Sequence, residues 1–356
     1  MEKDLLNIDF DAKILDVLEE IEASVVFSTY QAGKLLVLGS NNSKLTQIPF
    51  NFKKPMGIAI QDAKIAVATI DSIEFLSNKE EVAKTVKENV NEFDTFFIHR
   101  ASYNTGNLDI HDIDFGDSQL WGVNTAFSCL CVFDINYNFV PRWKPDYITE
   151  LVPEDRCHLN GMAIENSKPK YVTALSVTDH KDGWREKIME TGVLMEVPSS
   201  RIICDKLAMP HSPRIIDGEL YLLESGAGKL LKIDTETGEK EVVHDFGLFI
   251  RGMSYHKGYL FIGKSKIRES SKTFNYLEVK DKSSHAGLIV YDLKNRSVVG
   301  QLDYLDTIDE IFDVQVIPGF KKPAFINRNQ EMAKRIITFK GNVFWRADLP
   351  KDEEKE

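Results

Sequence analysis

Three histidines lie beside short apolar segments that are far apart in the chain. His111 begins one segment, and His158 and His211 come just before two others. Neutral imidazoles are common metal ligands, and a site with three protein ligands leaves a coordination position for water or substrate. Brought together, the three side chains could bind one divalent metal ion, zinc, iron or calcium, and take part in catalysis.

The histidines have a second interpretation, because their offsets from the apolar segments differ. Side chains alternate between the two faces of a strand, so an offset of one residue turns a side chain away from its counterparts. In this interpretation the histidines hydrogen-bond the ends of strands and bind no metal. The residue types leave both interpretations open.

Arg251 is the fourth candidate for a catalytic role. A guanidinium presents a fixed fork of donors to a carboxylate or phosphate, so a small anionic molecule is the ligand expected beside it. Buried charges are usually paired, and Arg251 could instead form a salt bridge with an internal acid that a ligand displaces. The candidate acids are Asp112, Asp313 and Glu310.

Further polar side chains occur near the ends of the predicted strands or in polar loops. Asn124 and Glu269 follow predicted second strands, and Trp184 and Arg185 belong to a polar loop. Loop positions that combine charge with aromatic surface often bind ligands. The predicted ligand-binding residues are Asp112, Asn124, Asn160, Trp184, Arg185, Ser212, Arg214 and Glu269.

The elements that would position these side chains are six apolar segments of similar pattern. They start between 39 and 61 residues apart, close to the roughly 40 to 50 residues of a four-stranded propeller blade. We interpret them as the inner strands of an all-β, six-bladed β-propeller, whose mouths converge around a central channel. The segments begin at Met56, His111, Asn160, Ser212, Arg251 and Phe312.

The two ends of the chain complete this prediction. Residues 1–22 are predicted to be a helical extension with a short amphipathic helix. Strands from Ser24 onward precede the first inner segment, so we expect them to close the last blade of a single propeller domain over residues 23–345. Residues 346–356 form a charged tail. Insertions at residues 80–107 and 264–286 could cover the channel.

Charge and composition exclude several classes of function. The 356 residues carry a formal net charge of −11, which argues against a nucleic acid partner. The acidic start and the lack of a long apolar run predict no signal peptide and no membrane partner, and hence a cytoplasmic protein. Without a Gly-x-Gly-x-x-Gly or phosphate-binding loop, no nucleotide cofactor is expected.

Four motifs occur in order along the chain: CHLNGMA at residues 157–163, DGWR at 182–185, MPHSPR at 209–214 and IRGM at 250–253. They resemble the motifs of an uncharacterised bacterial family of propeller-like proteins, known as a conserved domain of unknown function. The resemblance runs from about Ser24 to Phe325, and it implies a propeller fold and a shared pocket without an established reaction. In general layout the chain is also similar to the gluconolactonase and strictosidine-synthase class of six-bladed propellers.

These residues together predict a polar axial pocket that binds a small anionic or polar molecule. We expect an enzyme of the hydrolase or lyase type, in which Arg251 orients the substrate and an imidazole or a metal-bound water acts as base. The competing hypothesis is a scaffold without catalysis, whose outer loops bind a protein or peptide.

Overall fold

A computed structural model describes residues 6–86, 92–267, 277–279 and 282–346. Six sheets of four or five strands surround a common axis, and the innermost strand of each sheet contacts those of its two neighbours. The sheets therefore close into a ring. This arrangement is a six-bladed β-propeller, as the repeated apolar segments predict.

The blades are numbered in the chain order of their inner strands, and each blade is given from the axis outward. Blade 1 contains Ile58–Gln61, Lys64–Ala68, Ser72–Asn78 and Thr95–Asn104. Blade 2 contains Ile110–Gly116, Gln119–Asn124, Cys129–Asp134 and Tyr137–Trp143. Blade 3 contains Leu159–Glu165, Lys168–Ala174, Gly192–Glu196 and Ile202–Leu207.

The remaining blades follow the same order. Blade 4 contains Pro210–Ile216, Glu219–Glu224, Lys229–Ile233 and Lys240–Asp245. Blade 5 contains Ile250–His256, Tyr259–Lys264, Ala286–Asp292 and Ser297–Tyr304. Blade 6 contains Val314–Pro318, Ala23–Thr29, Lys34–Ser40 and Leu45–Asn51.

Blade 6 joins the two ends of the propeller. Its inner strand comes from the C-terminal part of the chain and pairs antiparallel with Ala23–Thr29, so that Phe27 lies opposite Val314. The N-terminal strands therefore close the last blade, as predicted. Hydrogen bonds between the first and last parts of the chain hold the ring shut.

Two further strands extend the blades on either side of blade 6. Ile8–Phe10 pairs antiparallel with the outer strand of blade 5, and Pro323–Ile326 pairs parallel with the outer strand of blade 1. A separate hairpin, Ile336–Phe339 with Asn342–Trp345, follows. The sequence pattern does not indicate these additions, because strands of three or four residues are too short to show a clear alternation.

The N-terminal helix covers Lys13–Ile21 and is shorter than predicted, because Ile8–Phe10 is a strand. Its apolar side chains, including Leu18 and Ile21, pack into the core between blades 5 and 6. The other helices are Glu80–Ala83, Glu331–Arg335 and the 3-10 helix Gly183–Glu186. Among the described residues, none of the helices has the length and apolar character needed to cross a membrane.

The predicted insertion at residues 80–107 is largely wrong. Thr95–Asn104 is the outer strand of blade 1, which leaves only Glu80–Ala83 as a helix inserted before it. Its residues do not follow a strict alternation of apolar and polar types, because a bulge interrupts the pairing with the neighbouring strand between Phe75 and Leu76. Part of the second insertion, at residues 264–286, lies outside the described residues.

The hydrophobic core is divided into clusters between neighbouring blades. Leu223 and Leu230 of blade 4, for example, pack with Ile262 and Ile289 of blade 5. Burial of one such side chain stabilises the fold by about 1.5–3 kcal/mol. These apolar interfaces hold the six inner strands in place around the axis.

Glycines allow the inner strands to approach one another near the axis. A Cβ atom on Gly161 would lie 2.6 Å from Cδ of Pro213 on the next blade, and a Cβ atom on Gly252 would lie 2.9 Å from Cα of Asp313. Contacts this short are not tolerated, so a side chain at either position would push the blades apart. The close approach brings the polar residues of adjacent strands together.

Candidate functional site

One residue from each of four consecutive blades occupies the same position at the mouth of the channel. In each of these blades, the residue just before the one at the mouth pairs with the last residue of the second strand. His211 thus takes the place that the sequence pattern assigned to Ser212, and it is equivalent to His111. We call the four equivalent residues and a fifth from blade 6 the mouth ring: His111, Asn160, His211, Arg251 and Phe312.

The mouth ring lines one end of a narrow axial cavity of about 10 Å³. A cavity of this size has room for about one water molecule. Its other lining residues lie further along the same inner strands, and we call them the axial hub: Asp112, Ser212, Arg214 and Asp313. The channel is therefore lined by two polar layers.

His111 is fixed by two hydrogen bonds at Nδ1. The partners are the backbone carbonyl of Asp109 at 3.1 Å and the hydroxyl of Thr125 at 2.8 Å. Because the Thr125 hydroxyl gives its own proton to the carbonyl of Leu159 at 2.6 Å, Nδ1 must be the donor to both of its partners. The network assigns the Nδ1–H tautomer and leaves a lone pair on Nε2.

His211 repeats this arrangement two blades later. Its Nδ1 lies 3.0 Å from the carbonyl of Met209 and 3.0 Å from the hydroxyl of Ser225. A carbonyl can only accept, so Nδ1 again carries the proton. Thr125 and Ser225 each follow their histidine by 14 residues, so the same hairpin position supplies the hydroxyl in both blades.

Burial keeps both imidazoles neutral. It lowers the pKa of His111 to about 4, against the attraction of Asp109, and it lowers the pKa of His211 well below the usual value. The positive charge of Arg251 acts in the same direction on both pKa values. Within the described ranges, neither Nε2 atom has a hydrogen-bond partner. Both atoms are therefore acceptors for a ligand or water.

His158 lies outside the mouth ring, just before the inner strand of blade 3. Its backbone has a left-handed φ of 52°, and its Nδ1 is 2.8 Å from Oδ2 of Asp155. The indole N–H of Trp184 donates to the same oxygen at 2.8 Å. A carboxylate on Nδ1 orients an imidazole and makes Nε2 the basic nitrogen. Asp155 and His158 therefore form a dyad able to act as a general base.

A row of ring contacts connects this dyad to Arg251. Ring centroids are 4.1 Å apart for Trp184 and His158, 4.7 Å for His158 and His111, and 5.3 Å for His111 and Phe312. The guanidinium carbon of Arg251 lies 3.5 Å from the centroid of Phe312, a cation–π distance. The two predicted catalytic histidines of this row and Arg251 are thus brought together at one mouth.

Arg185 covers the other end of this row. Its guanidinium carbon lies 4.1 Å from the centroid of Trp184, and its Nε donates to Asp182 at 3.1 Å. Trp184 is buried, whereas half of the Arg185 side chain is exposed. Trp184 therefore supports His158, and Arg185 lies at the solvent edge of the site.

Arg251 has no acidic partner in the part of the chain that the structure describes. Its guanidinium forms neither a hydrogen bond nor an ion pair with any described residue, and its contact is the face of Phe312. Burial lowers its pKa, against the attraction of more distant acids. Of the three acids predicted as alternative partners of Arg251, Asp112 and Asp313 contact Arg214. Glu310 attracts Arg251 most strongly but does not form an ion pair with it. An unpaired guanidinium attracts an anion.

Arg214 occupies the centre of the axial hub. Its Nη1 lies 3.4 Å from Oδ2 of Asp112 on blade 2, and its Nη2 lies 3.7 Å from Oδ1 of Asp313 on blade 6. It also donates to the backbone carbonyls of Met162 at 3.2 Å and Met253 at 3.1 Å. Arg214 thus connects its own blade to four others, and these contacts use its guanidinium within the protein.

The other hub side chains are bonded between blades as well. Burial raises the pKa of Asp313 to about 7 and also raises that of Asp112. Asp112, Ser212 and Asp313 each accept a backbone N–H from the following blade, donated by Met162 at 3.0 Å, Gly252 at 3.1 Å and Ile58 at 2.8 Å respectively. The hub therefore joins all six blades.

The two predicted asparagines differ in position. Asn124 is buried behind the mouth, where its side-chain carbonyl accepts the backbone N–H of Phe127 at 3.1 Å, and it does not line the cavity. Asn160 lines the cavity, and its carbonyl accepts the hydroxyl proton of Thr173 at 2.7 Å. The Nδ2 of Asn160 is buried without a hydrogen-bond partner. Glu269, the last predicted ligand-binding residue, lies outside the described residues.

A metal site is not favoured by this geometry. No group of three or more His, Cys, Asp or Glu side chains within the described residues is arranged to hold a metal ion. His158 is turned toward Asp155, and Arg251 would place a positive charge beside the ion. The predicted zinc, iron or calcium therefore stays a prediction, and no step below depends on it.

The sequence analysis did not identify Asp155, Thr125, Ser225 or Phe312 as parts of the site. The spacing Asp155-x-x-His158 was a usable signal, since it puts a carboxylate within reach of an imidazole. The two hydroxyls were harder to find, because they become partners of the histidines only when the hairpins of blades 2 and 4 fold.

Comparison with known proteins gives the chain a family. Residues 12–326 match the family described as a domain of unknown function, DUF4915. The chain belongs to this family. The match confirms the resemblance that the four motifs indicate, and it covers all six blades. No curated protein matches the chain.

Three solved structures match this chain with low sequence identity. A nidogen/laminin complex is similar over 83% of this chain and 99% of that chain, with 12% identity and a TM-score of 0.53. A Bacteroides caccae protein of unknown function covers 83% and 98%, with 9% identity and a TM-score of 0.49. A catalytically inactive virginiamycin B lyase from Staphylococcus aureus with quinupristin covers 79% and 77%, with 12% identity and a TM-score of 0.42. The first supports the propeller fold, and none assigns a reaction to this chain.

Proposed function

We propose that the axial mouth binds a small anionic molecule and performs acid–base chemistry of the lyase or hydrolase type on it. The observation that carries this proposal is Arg251, whose guanidinium rests on Phe312 and has no acidic partner among the described residues. Buried charges without partners are costly. An anion bound at the mouth would supply the missing partner.

His158 is the base in this proposal. Its Nδ1 is held by Asp155 at 2.8 Å, and the side chain keeps 13% of its surface exposed. A substrate can therefore reach Nε2. In a lyase, Nε2 takes a proton from the carbon next to the substrate carboxylate, the electron pair left behind forms a C=C bond, and the group on the β-carbon leaves with the electrons of its own bond. In a hydrolase, Nε2 takes a proton from water, whose oxygen attacks the acyl carbon of an ester or lactone and displaces the alcohol. The Asp155 carboxylate stabilises the imidazolium that results.

Arg251 orients the substrate and stabilises charge. When a proton leaves the carbon next to a carboxylate, negative charge builds up on the carboxylate oxygens. Donors already aimed at these oxygens stabilise the transition state more than the ground state. The neutral histidines of the mouth ring do not compete with Arg251 for the anion, because they carry no charge at neutral pH.

The proposal is tested without knowledge of the natural substrate. The protein is incubated in D₂O with a panel of small carboxylates, and proton NMR follows the exchange of the carbon-bound proton next to the carboxylate. A pH-stat follows hydrolysis of small esters and lactones in parallel. We expect one of the two activities in the wild type and its loss in His158→Gln and Arg251→Met.

Binding provides the control for this experiment. Acetate is titrated against chloride at constant ionic strength while the imidazole resonances of labelled histidines are recorded. We expect saturable acetate binding that weakens at least tenfold in Arg251→Met and less in Arg251→Lys. Absence of acetate binding in the wild type, or binding that does not depend on Arg251, contradicts the proposal.

A second candidate function, protein binding, is supported by a different surface. Three large apolar side chains of the hairpin that follows blade 6 are about half exposed: Ile337, Phe339 and Phe344. The rings of Phe339 and Phe344 are stacked with centroids 5.7 Å apart. Contiguous exposed apolar surface often contacts a partner. A protein or peptide bound here would make the propeller a scaffold.

A further inference from the structure

We propose that the ligand of the mouth ring is a small hydroxycarboxylate, with a hydroxyl group next to its carboxylate. The inference rests on the proposed function, because it takes the carboxylate to be bound by Arg251. It adds the chemical class of the ligand. The observations that support it are the protonation of the two histidines, an unpartnered amide and the size of the cavity.

The two histidines of the mouth ring are acceptors. The Nδ1 atoms of His111 and His211 donate to the carbonyls of Asp109 and Met209, so each Nε2 presents a lone pair. A carboxylate or sulfate has only lone pairs to offer in return. A hydroxyl proton, in contrast, can be donated to Nε2. Two such acceptors therefore select a ligand with a hydrogen-bond donor.

Asn160 lies between the two histidines in the order of the blades and has the opposite polarity. Its Nδ2 is a buried donor without a partner, and the residue is 4% exposed. An unsatisfied buried donor destabilises the protein, and an acceptor in the cavity would remove this cost. A hydroxyl oxygen can accept from Nδ2 while its proton is donated to an imidazole.

Donors and acceptors thus alternate around four consecutive blades. His111 accepts, Asn160 donates, His211 accepts and Arg251 donates. A ligand that forms hydrogen bonds with all four residues must carry a hydrogen-bond donor close to its anionic group. A hydroxyl on the carbon next to a carboxylate has the shortest separation that meets this requirement.

The size of the cavity agrees with this ligand. The cavity of about 10 Å³ accommodates one water-sized group, so a hydroxyl can enter it in place of a water molecule. A ligand group that reproduces the hydrogen bonds of the water it displaces loses no affinity. The carbon skeleton and carboxylate then remain outside this cavity, on the side of Phe312 and Arg251.

A matched pair of probes tests the inference. Glycolate and acetate differ by one hydroxyl, and methoxyacetate has the same oxygen without its proton. We expect glycolate to bind at least tenfold more tightly than acetate and methoxyacetate at pH 7. In His211→Phe the preference for glycolate over acetate should be lost. Arg251→Met should weaken the binding of both.

The outcomes separate the two proposals. Equal affinities for glycolate and acetate, both dependent on Arg251, would overturn the hydroxycarboxylate and leave the anion site intact. Failure of both probes to bind would overturn both proposals. Nitrogen-15 spectra of the wild type keep the test independent of the folding of any variant. Glycolate, and not acetate, should shift the unprotonated Nε2 resonances, and a protonated Nε2 in the free protein would contradict the inference.

Discussion

The axial hub and the mouth ring are built on the same inner strands and differ in how their polar atoms are used. In the hub, Arg214 contacts Asp112, Asp313 and three backbone carbonyls. In the mouth ring, the guanidinium of Arg251 lies on the face of Phe312 and forms no ion pair with a described residue, and the Nδ2 of Asn160 lacks a partner. One layer is internally complete, whereas the other has hydrogen-bonding capacity left for a ligand.

The comparison shows that residue type does not decide which polar layer is functional. Arg214 and Arg251 belong to neighbouring blades and are both largely buried. Their roles differ because Arg214 lies level with two carboxylates that the strands place opposite it, whereas Arg251 lies level with histidines and Phe312. Satisfied buried groups contribute to stability, and open ones indicate a binding site.

The two arginines should therefore differ most strongly in their effect on folding. Arg214→Met leaves Asp112 and Asp313 without their cation, and removal of one partner of a buried ion pair costs about 3–5 kcal/mol. Arg251→Met removes no ion pair with a described residue and should change the free energy of unfolding by less than about 1 kcal/mol. Urea denaturation of the two variants measures both quantities. Equal losses would show that both layers are structural.

The second prediction concerns the dyad beside the mouth ring. Asp155→Asn keeps the shape of the side chain but removes the charge that holds the proton on Nδ1 of His158, so Nε2 is no longer the basic nitrogen. We expect a loss of about 10²-fold in the exchange or hydrolysis activity, within the range for general-base catalysis. Asp182→Asn, which alters a contact of Arg185, is the matched control. A similar loss in the control would contradict a specific role for the dyad.

Much of this architecture could be predicted from the sequence. Six repeated segments give the blades, and five of them begin at residues that the structure places at or next to the axis: Met56, His111, Asn160, Arg251 and Phe312. These strands are recognisable because similar short apolar segments recur at similar intervals along the chain. The closing strands could be predicted because strands from Ser24 onward precede the first inner segment.

The rest depends on irregularities that a strict alternation does not describe. The pairing of the first two strands of blade 4 shifts between His211 and Arg214, and such a bulge changes the direction of the following side chains. Blades 2, 3 and 5 have a similar shift near the mouth, so the pattern of apolar residues does not decide whether His211 or Ser212 lies at the mouth in blade 4. Asp112 and Asp313 form ion pairs with Arg214 and not with Arg251. This choice likewise depends on the position of each side chain along the axis.

The third prediction is that the two layers respond to pH in opposite directions. The pKa of Asp313 is raised from 3.8 to about 7, so its contribution to stability is present near pH 4 and is lost as the pH rises toward 7. The pKa of His111 is lowered from 6.5 to about 4, so its contribution is present above pH 6.5 and is lost as the pH falls toward 4.

Urea denaturation between pH 4.5 and 7.5 measures these slopes. Relative to the wild type, Asp313→Asn should become more stable as the pH rises, and His111→Phe should become more stable as the pH falls. A parallel pH dependence in the two variants would contradict the raised pKa of Asp313 in the hub and the lowered pKa of His111 at the mouth.

Substitutions in the exposed hairpin are expected to have the smallest effect on stability and on ligand binding at the axis. Phe339 and Phe344 are more than half exposed, so Phe339→Ser combined with Phe344→Ser should change the free energy of unfolding by less than about 0.5 kcal/mol and leave acetate binding unchanged. The scaffold hypothesis predicts the opposite for a protein partner. The partner would bind the Arg251→Met variant with the affinity of the wild type, and it would bind the hairpin variant more weakly. A partner that requires Arg251 and tolerates the hairpin substitutions would locate protein binding at the mouth, and the hairpin would then be excluded as its docking surface.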